Sequence, residues 1–124
     1  PTFAAQGLDT VNERAKAHYF DPMRKSDPIN GEDGPTWFRG YVQLPEAEAC
    51  PLLEKALASV DAKRMVVGHT TQRTGAPMIR CGGRLAVIDV GISAHYGHHL
   101  GAWEALDGDA RVLLPSGPKD VVDP

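Results

Sequence analysis

The chain is short of cysteine, of long apolar runs and of clustered charge, and each shortage removes a class of function. Of its 124 residues only Cys50 and Cys81 are cysteines. They lie far apart in the chain and outside any C-x-x-C unit, so neither a zinc ribbon nor a disulfide framework is expected, and a reducing compartment is favoured. No stretch approaches the roughly 18 consecutive apolar residues of a membrane span, and the N-terminus lacks the basic-then-apolar pattern of a secretory signal. The chain is therefore expected to be soluble, in the cytoplasm or an organelle, with no membrane span. Basic residues number 13 against 16 acidic, a net charge of -3, and no run of lysine or arginine could track a phosphate backbone, so nucleic acid is not the expected partner. Absent too are G-x-x-x-x-G-K-[ST], G-x-G-x-x-G and G-x-S-x-G, which sets aside nucleotide-cradling loops and the hydrolase elbow. Neither cysteine sits in an electropositive setting that would activate a thiolate. The length suits one small domain with a modest core. The first residue is Pro1 rather than methionine, and the start is read as artificial.

What is present orders itself into a few elements. Thr10-Val-Asn-Glu13 fits a capping box, with Val11, Ala15, His18 and Tyr19 following at helical spacing, which predicts a helix over Thr10 to Tyr19. Asp21 to Pro35, rich in proline, Asx and glycine, predicts an irregular loop. TWFRGYVQL, Thr36 to Leu44, has the aromatic and β-type composition of a strand, interrupted by Gly40. Leu52, Leu53, Ala56, Leu57 and Val60 mark one face of a helix placed from Pro51 to about Val60, since Pro51 is awkward inside a helix. RMVVG reads as a buried strand. MIRC and RLAVIDV flank Gly82-Gly83, a two-residue hairpin turn, while AWEAL and ARVLL flank Asp107-Gly108-Asp109 as a second hairpin. SGPKDVVDP reads as a loose tail. The class is α+β, with helices segregated from an antiparallel run of strands. No internal repeat is present.

Three constellations carry candidate chemistry. In VVGHTTQRTG an apolar run stops at Gly68 and delivers His69 into a polar loop; Gly68 permits close backbone approach, and Thr70 and Thr71 can fix the imidazole as outer-shell partners do. His69 is a metal ligand, an acid–base group or polar loop filling, and Arg73 meets an anion or water. ISAHYGHHLGAWEA holds three of the five histidines. His95 and His98 at helical spacing would suit a transition metal, yet Gly91, Gly97 and Gly101 argue for a loop, and no cysteine or carboxylate completes a site. Tyr96 is a packed aromatic or a donor over a pocket. In GPTWFRGYV, Arg39 stacks between aromatics or offers the bidentate fork that phosphate recognition needs.

Taken in order, GPTWFRGY, KRMVVGHTTQRTG and CGGRLAVIDVGISAHYGHHLGAWEAL resemble the C-terminal half of calcineurin-like metallophosphoesterases, most closely the Shewanella-like branch of the protein phosphatases. The resemblance covers roughly Gly34 to Leu106. It implies a β-sandwich flanked by helices, spanning 1–114 with a flexible tail over 115–124, and two divalent metal ions, manganese, iron or zinc, at loops on the strand ends. A metal-bridging hydroxide would attack phosphorus in line. His69 matches a metal-ligating histidine, Arg39 an arginine that grips the substrate phosphate, and Tyr96 an aromatic beside the pocket; His95, His98 and His99 match no ligand.

The family's Asp-x-His, Gly-Asp-x-x-Asp, Gly-Asn-His-Glu and His-Gly-Gly motifs do not occur here, and family order places them before Pro1. The chain is thus expected to contribute at most one metal ligand, to be inactive alone, and to need the missing N-terminal half or a partner chain to cover its sheet. The expected function is part of a phosphoprotein phosphatase acting on Ser/Thr-type phosphomonoesters. Two alternatives remain: a non-catalytic phosphatase remnant serving as an interaction module, and a small zinc domain on His95, His98 and His99.

Overall fold

A computed structural model describes residues 3–21 and 27–121. The chain divides into two compact units, Pro1–Ala62 and Lys63–Pro124. It is a mixed α+β protein, helical in the first unit and built on two three-stranded sheets in the second. The expected single antiparallel run is thus corrected to two sheets, one of them mixed.

In the first unit, helix α1 runs over Leu8–Phe20. The capping box is not used: Gly7, at φ 82, is the N-cap, and its carbonyl accepts from the Val11 amide at 3.2 Å, so Thr10 already lies inside the helix. Arg14 fastens α1 to the following segment, its guanidinium reaching the Gln6 side chain at 2.7 Å and Asp27 at 2.6 Å. The same Asp27 carboxylate accepts from the Ile29 amide at 3.0 Å and caps a 3₁₀ turn, Pro28–Asn30, that buries Ile29. Part of the expected loop, residues 22–26, lies outside the described residues.

TWFRGYVQL holds no strand. Gly40–Gln43 form the short helix α2, which places Phe38 and Tyr41 edge to face with ring centroids 4.8 Å apart. Burial pushes the Tyr41 phenol above its ordinary value. The stability tied to its neutral form is therefore present below about pH 10 and is lost as pH rises further.

Helix α3 spans Glu46–Ser59 and continues through Pro51, starting a full turn earlier than proline chemistry suggested. Pro51 is exposed, so the hydrogen bond it removes and the crowding of the preceding turn fall on the solvent side of the helix. Ala49, Leu53, Ala56 and Leu57, at i, i+4, i+7 and i+8, form its buried stripe.

In the second unit, β1 (Met65–Val67) pairs in parallel with β3 (Leu85–Val87), and β2 (Met78–Arg80) pairs with β3 from the other side, antiparallel. All three residues of β3 are buried, as a central strand covered on both faces requires. The β2–β3 turn is longer than two residues. Arg80 faces Leu85 across Cys81, Gly82, Gly83 and Arg84, and φ is positive at Cys81, Gly82 and Gly83.

The second sheet is a meander of β4 (Ala102–Leu106), β5 (Asp109–Leu114) and β6 (Gly117–Val121). The segment expected to be a flexible tail over 115–124 therefore contains a strand, paired with β5 from Gly117↔Leu114 to Val121↔Ala110. Ala110, Val112 and Val121 form a buried cluster against which Ile79 of the first sheet and Trp103 and Leu114 of the second pack. Glu104 and Arg111 face each other across β4 and β5 and join at 2.6 Å.

The β4–β5 turn is two residues, Asp107 at φ 53 and Gly108 at φ 94, the left-handed pair that matches strand twist. Asp107→Gly should be neutral or stabilising. Gly108→Val should cost about 1–2 kcal/mol, read from the midpoint of urea unfolding, because a β-branched side chain resists that backbone.

Candidate functional site

The mixed sheet builds the site by register. Val67 lies opposite Val87 in the parallel pair, and His69 and Asp89 each follow two residues later, so both leave the sheet at the carboxyl ends of adjacent strands. The Ile88 amide donates to the Val67 carbonyl at 2.8 Å and the Gln72 amide to the Asp89 carbonyl at 2.7 Å, which keeps the two departing segments together. Carboxyl ends of parallel strands, where loops diverge, are the usual place for ligands in α/β architecture.

His69 is exposed and held at φ 62, a left-handed conformation rare for a side-chain-bearing residue. It is thus not part of an apolar interior. The expected close backbone approach at Gly68 does not occur, since a Cβ there would meet nothing within 4 Å. The Thr71 hydroxyl donates to Asp89 Oδ2 at 3.2 Å. The Gln72 side chain donates to the Thr70 carbonyl at 2.6 Å, which braces the loop from within. Arg73 is exposed.

The segment after β3 turns at Gly91, φ 74, whose amide donates to Asp89 Oδ1 at 3.1 Å. A Cβ on Gly91 would lie 2.5 Å from the Tyr96 carbonyl oxygen and 3.2 Å from Thr71 Cγ2. Gly91 is therefore the point where the His69 loop and the Tyr96 loop touch. Tyr96 ends a 3₁₀ turn, Ala94–Tyr96, and its ring stands edge-on to His95 at 4.9 Å. His99 donates its amide to the Gly91 carbonyl at 3.2 Å, and its ring occupies space that a Cβ at Gly75 or Gly97 would fill.

His69 and Tyr96 are thus brought to one end of one sheet. Arg39 belongs to the first unit, where it is half-buried and precedes α2. Among the described residues no group of three converging metal-ligating side chains contains a histidine. The zinc reading of His95, His98 and His99 is corrected accordingly: the His99 ring is spent on packing, while His95 and His98 face solvent. Both cysteines are disulfide-bonded, contrary to the expectation of no disulfide. Separation along the sequence does not limit pairing, and a disulfide sulfur is no thiolate ligand.

Asp89 is the residue that sequence reasoning missed. The run RLAVIDV reads as one strand through Asp89, but β3 ends at Val87, and the available signal is an acid followed two residues later by glycine, Asp89-Val90-Gly91.

No protein-family model matches the chain. No solved structure matches it either. The chain is similar to an uncharacterised protein of Schizosaccharomyces pombe, 38% identical over 96 residues, a match that covers 71% of this chain and 28% of the relative. The chain thus spans little more than a quarter of that relative's length. No helix among the described residues is long and apolar enough to cross a membrane.

Proposed function

We propose that this chain is part of a metal-dependent phosphoesterase, a phosphoprotein phosphatase of the Ser/Thr type, and that it contributes to the catalytic centre without completing it. The observation that carries the reading is the parallel β1–β3 pair, whose carboxyl ends deliver His69 and Asp89 in register and tie the Tyr96 loop to the same edge. The His69 imidazole is exposed on a left-handed backbone and so is accessible to an ion held by groups outside the described residues. In this reading His69 supplies one ligand to a pair of divalent ions, Arg39 grips phosphate oxygens through its bidentate fork, and Tyr96 lines the pocket.

The described residues do not fit a two-metal centre by themselves, since no group of three converging metal-ligating side chains among them contains a histidine. The remaining ligands belong to further sequence or to a partner chain. That related sequence lies within a much longer protein supports this division. With manganese added, the 124-residue chain should not hydrolyse p-nitrophenyl phosphate. A natural form extended upstream of Pro1 should do so, and an extended form inert with manganese, iron and zinc would sink the proposal.

A second reading, an interaction module without catalysis, is favoured by one observation: Ile92, Tyr96 and Leu100 are 61%, 61% and 59% exposed along a single loop. Apolar exposure of that kind marks interfaces in soluble proteins. One stoichiometric partner, recovered without bound metal, would decide for it.

A further inference from the structure

The Asp89 carboxylate is hydrogen-bonded to both loops of the candidate site at once. Its Oδ2 accepts from Thr71, two residues beyond His69, and its Oδ1 accepts from the Gly91 amide, at the root of the loop that carries Tyr96. Its backbone carbonyl adds a third tie, to the Gln72 amide at 2.7 Å. Both carboxylate oxygens are thereby engaged in charge-assisted hydrogen bonds, stronger than those between neutral groups. The two loops also meet by packing at Gly91, against Thr71 Cγ2 on one side and the Tyr96 backbone on the other. A lateral slip of either loop would therefore break hydrogen bonds and close contacts together.

We infer that Asp89 is a positioning residue: its carboxylate fixes the His69 loop against the Tyr96 loop, and so sets where the imidazole stands relative to the tyrosine. This rests on His69 and Tyr96 being the residues that face substrate. Asp89 acts through hydrogen bonding and not as a free charge, so its amide counterpart should serve nearly as well. In Asp89→Asn the carbonyl oxygen still accepts from Gly91, while the amide donates to the Thr71 hydroxyl, which can accept.

The test is made on the chain itself by amide hydrogen exchange and by NMR of the imidazole rings. Asp89→Ala should speed exchange at Gly91 and Gln72 by about tenfold or more, with β5 amides unchanged, since a lost charge-assisted bond frees the local opening it restrained. Thr71→Val should speed Gln72 and spare Gly91. Both variants should move the ring resonances of His69 and leave those of His18 in place, whereas Asp89→Asn should leave all of them within the wild-type pattern. A merely structural carboxylate would not give that split between the two loops together with rescue by asparagine.

Unchanged exchange at Gly91 in Asp89→Ala overturns the inference, as does Asp89→Asn behaving like alanine. If Asp89→Ala does not fold, Thr71→Val decides: unmoved His69 resonances overturn the inference, and moved ones support it. In a hydrolytically active form, Asp89→Asn should retain kcat and Asp89→Ala should lose about tenfold in kcat with little change in KM. If no form hydrolyses phosphomonoesters, the phosphoesterase reading falls, and the exchange pattern still decides the role of Asp89.

Discussion

Replacing His69 by alanine in a hydrolytically active form should lower kcat/KM by about 100-fold or more, with bound metal reduced in parallel. A ligand lost from a two-metal clamp removes both the orientation of an ion and its stabilisation of phosphoryl charge. The fold should survive, because the side chain is exposed and alanine inherits the same left-handed backbone at a cost of about 1 kcal/mol or less relative to histidine. His69→Gly would relieve that backbone and stabilise the chain slightly while lowering kcat/KM as much as alanine does. Metal analysis and steady-state kinetics on both variants, with His98→Ala as a control that changes neither, make the check. Full activity in either His69 variant would remove the residue from the site.

Gly91→Ala should be among the most damaging single-methyl additions in the second unit. The backbone there has φ 74, and forcing a side chain into that region costs about 1–2 kcal/mol. The new Cβ would also stand 2.5 Å from the Tyr96 carbonyl oxygen, a backbone atom that cannot rotate aside as a flexible side chain would. Overpacking of that kind adds about 1–3 kcal/mol, for a total of roughly 2–5 kcal/mol. Gly82→Ala is the matched control. Its φ is 61, yet its nearest neighbour is an arginine nitrogen at 4.0 Å, so only the backbone cost of about 1–2 kcal/mol applies. Urea unfolding of the two variants side by side should show Gly91→Ala the worse. Equal losses would mean that the two loops do not press together at Gly91.

Strand periodicity and turn chemistry were the most legible signals. The run RMVVG, the glycine-flanked β2 and β3, and the Asp107-Gly108 turn all announce themselves as strands or turns, although β1 is half-buried, with Val66 38% exposed, where a buried strand was expected. What could not be read was pairing between distant segments. Nothing in RMVVG says that it lies parallel to β3, and that pairing places His69 beside Asp89.

The segment around Arg39 misled for a different reason. Aromatic residues favour strands because they pack on pleated surfaces, yet three-residue spacing lets Phe38 and Tyr41 pack on each other equally well at the start of a helix. Pro51 misled as a helix breaker, and SGPKDVVDP, with Pro118 in it, as a loose tail. Pro51 lies on the exposed side of α3 and Pro118 in an outermost strand, where a missing amide costs little. The position of His69 just beyond β1 was legible because hydrophobicity stops abruptly before it. The ties of Asp89 were not, because they are two hydrogen bonds to residues brought together only by the fold.

The placement of Pro118 has a further outcome. Among the described residues β6 forms one margin of the second sheet, and Pro118, Lys119 and Asp120 are all exposed along it. A strand left with open amides and carbonyls is a template on which a stray chain can polymerise into fibrils, and proline together with charges of both signs makes that template poor. Pro118, Lys119 and Asp120 should therefore disfavour recruitment of a second strand onto β6.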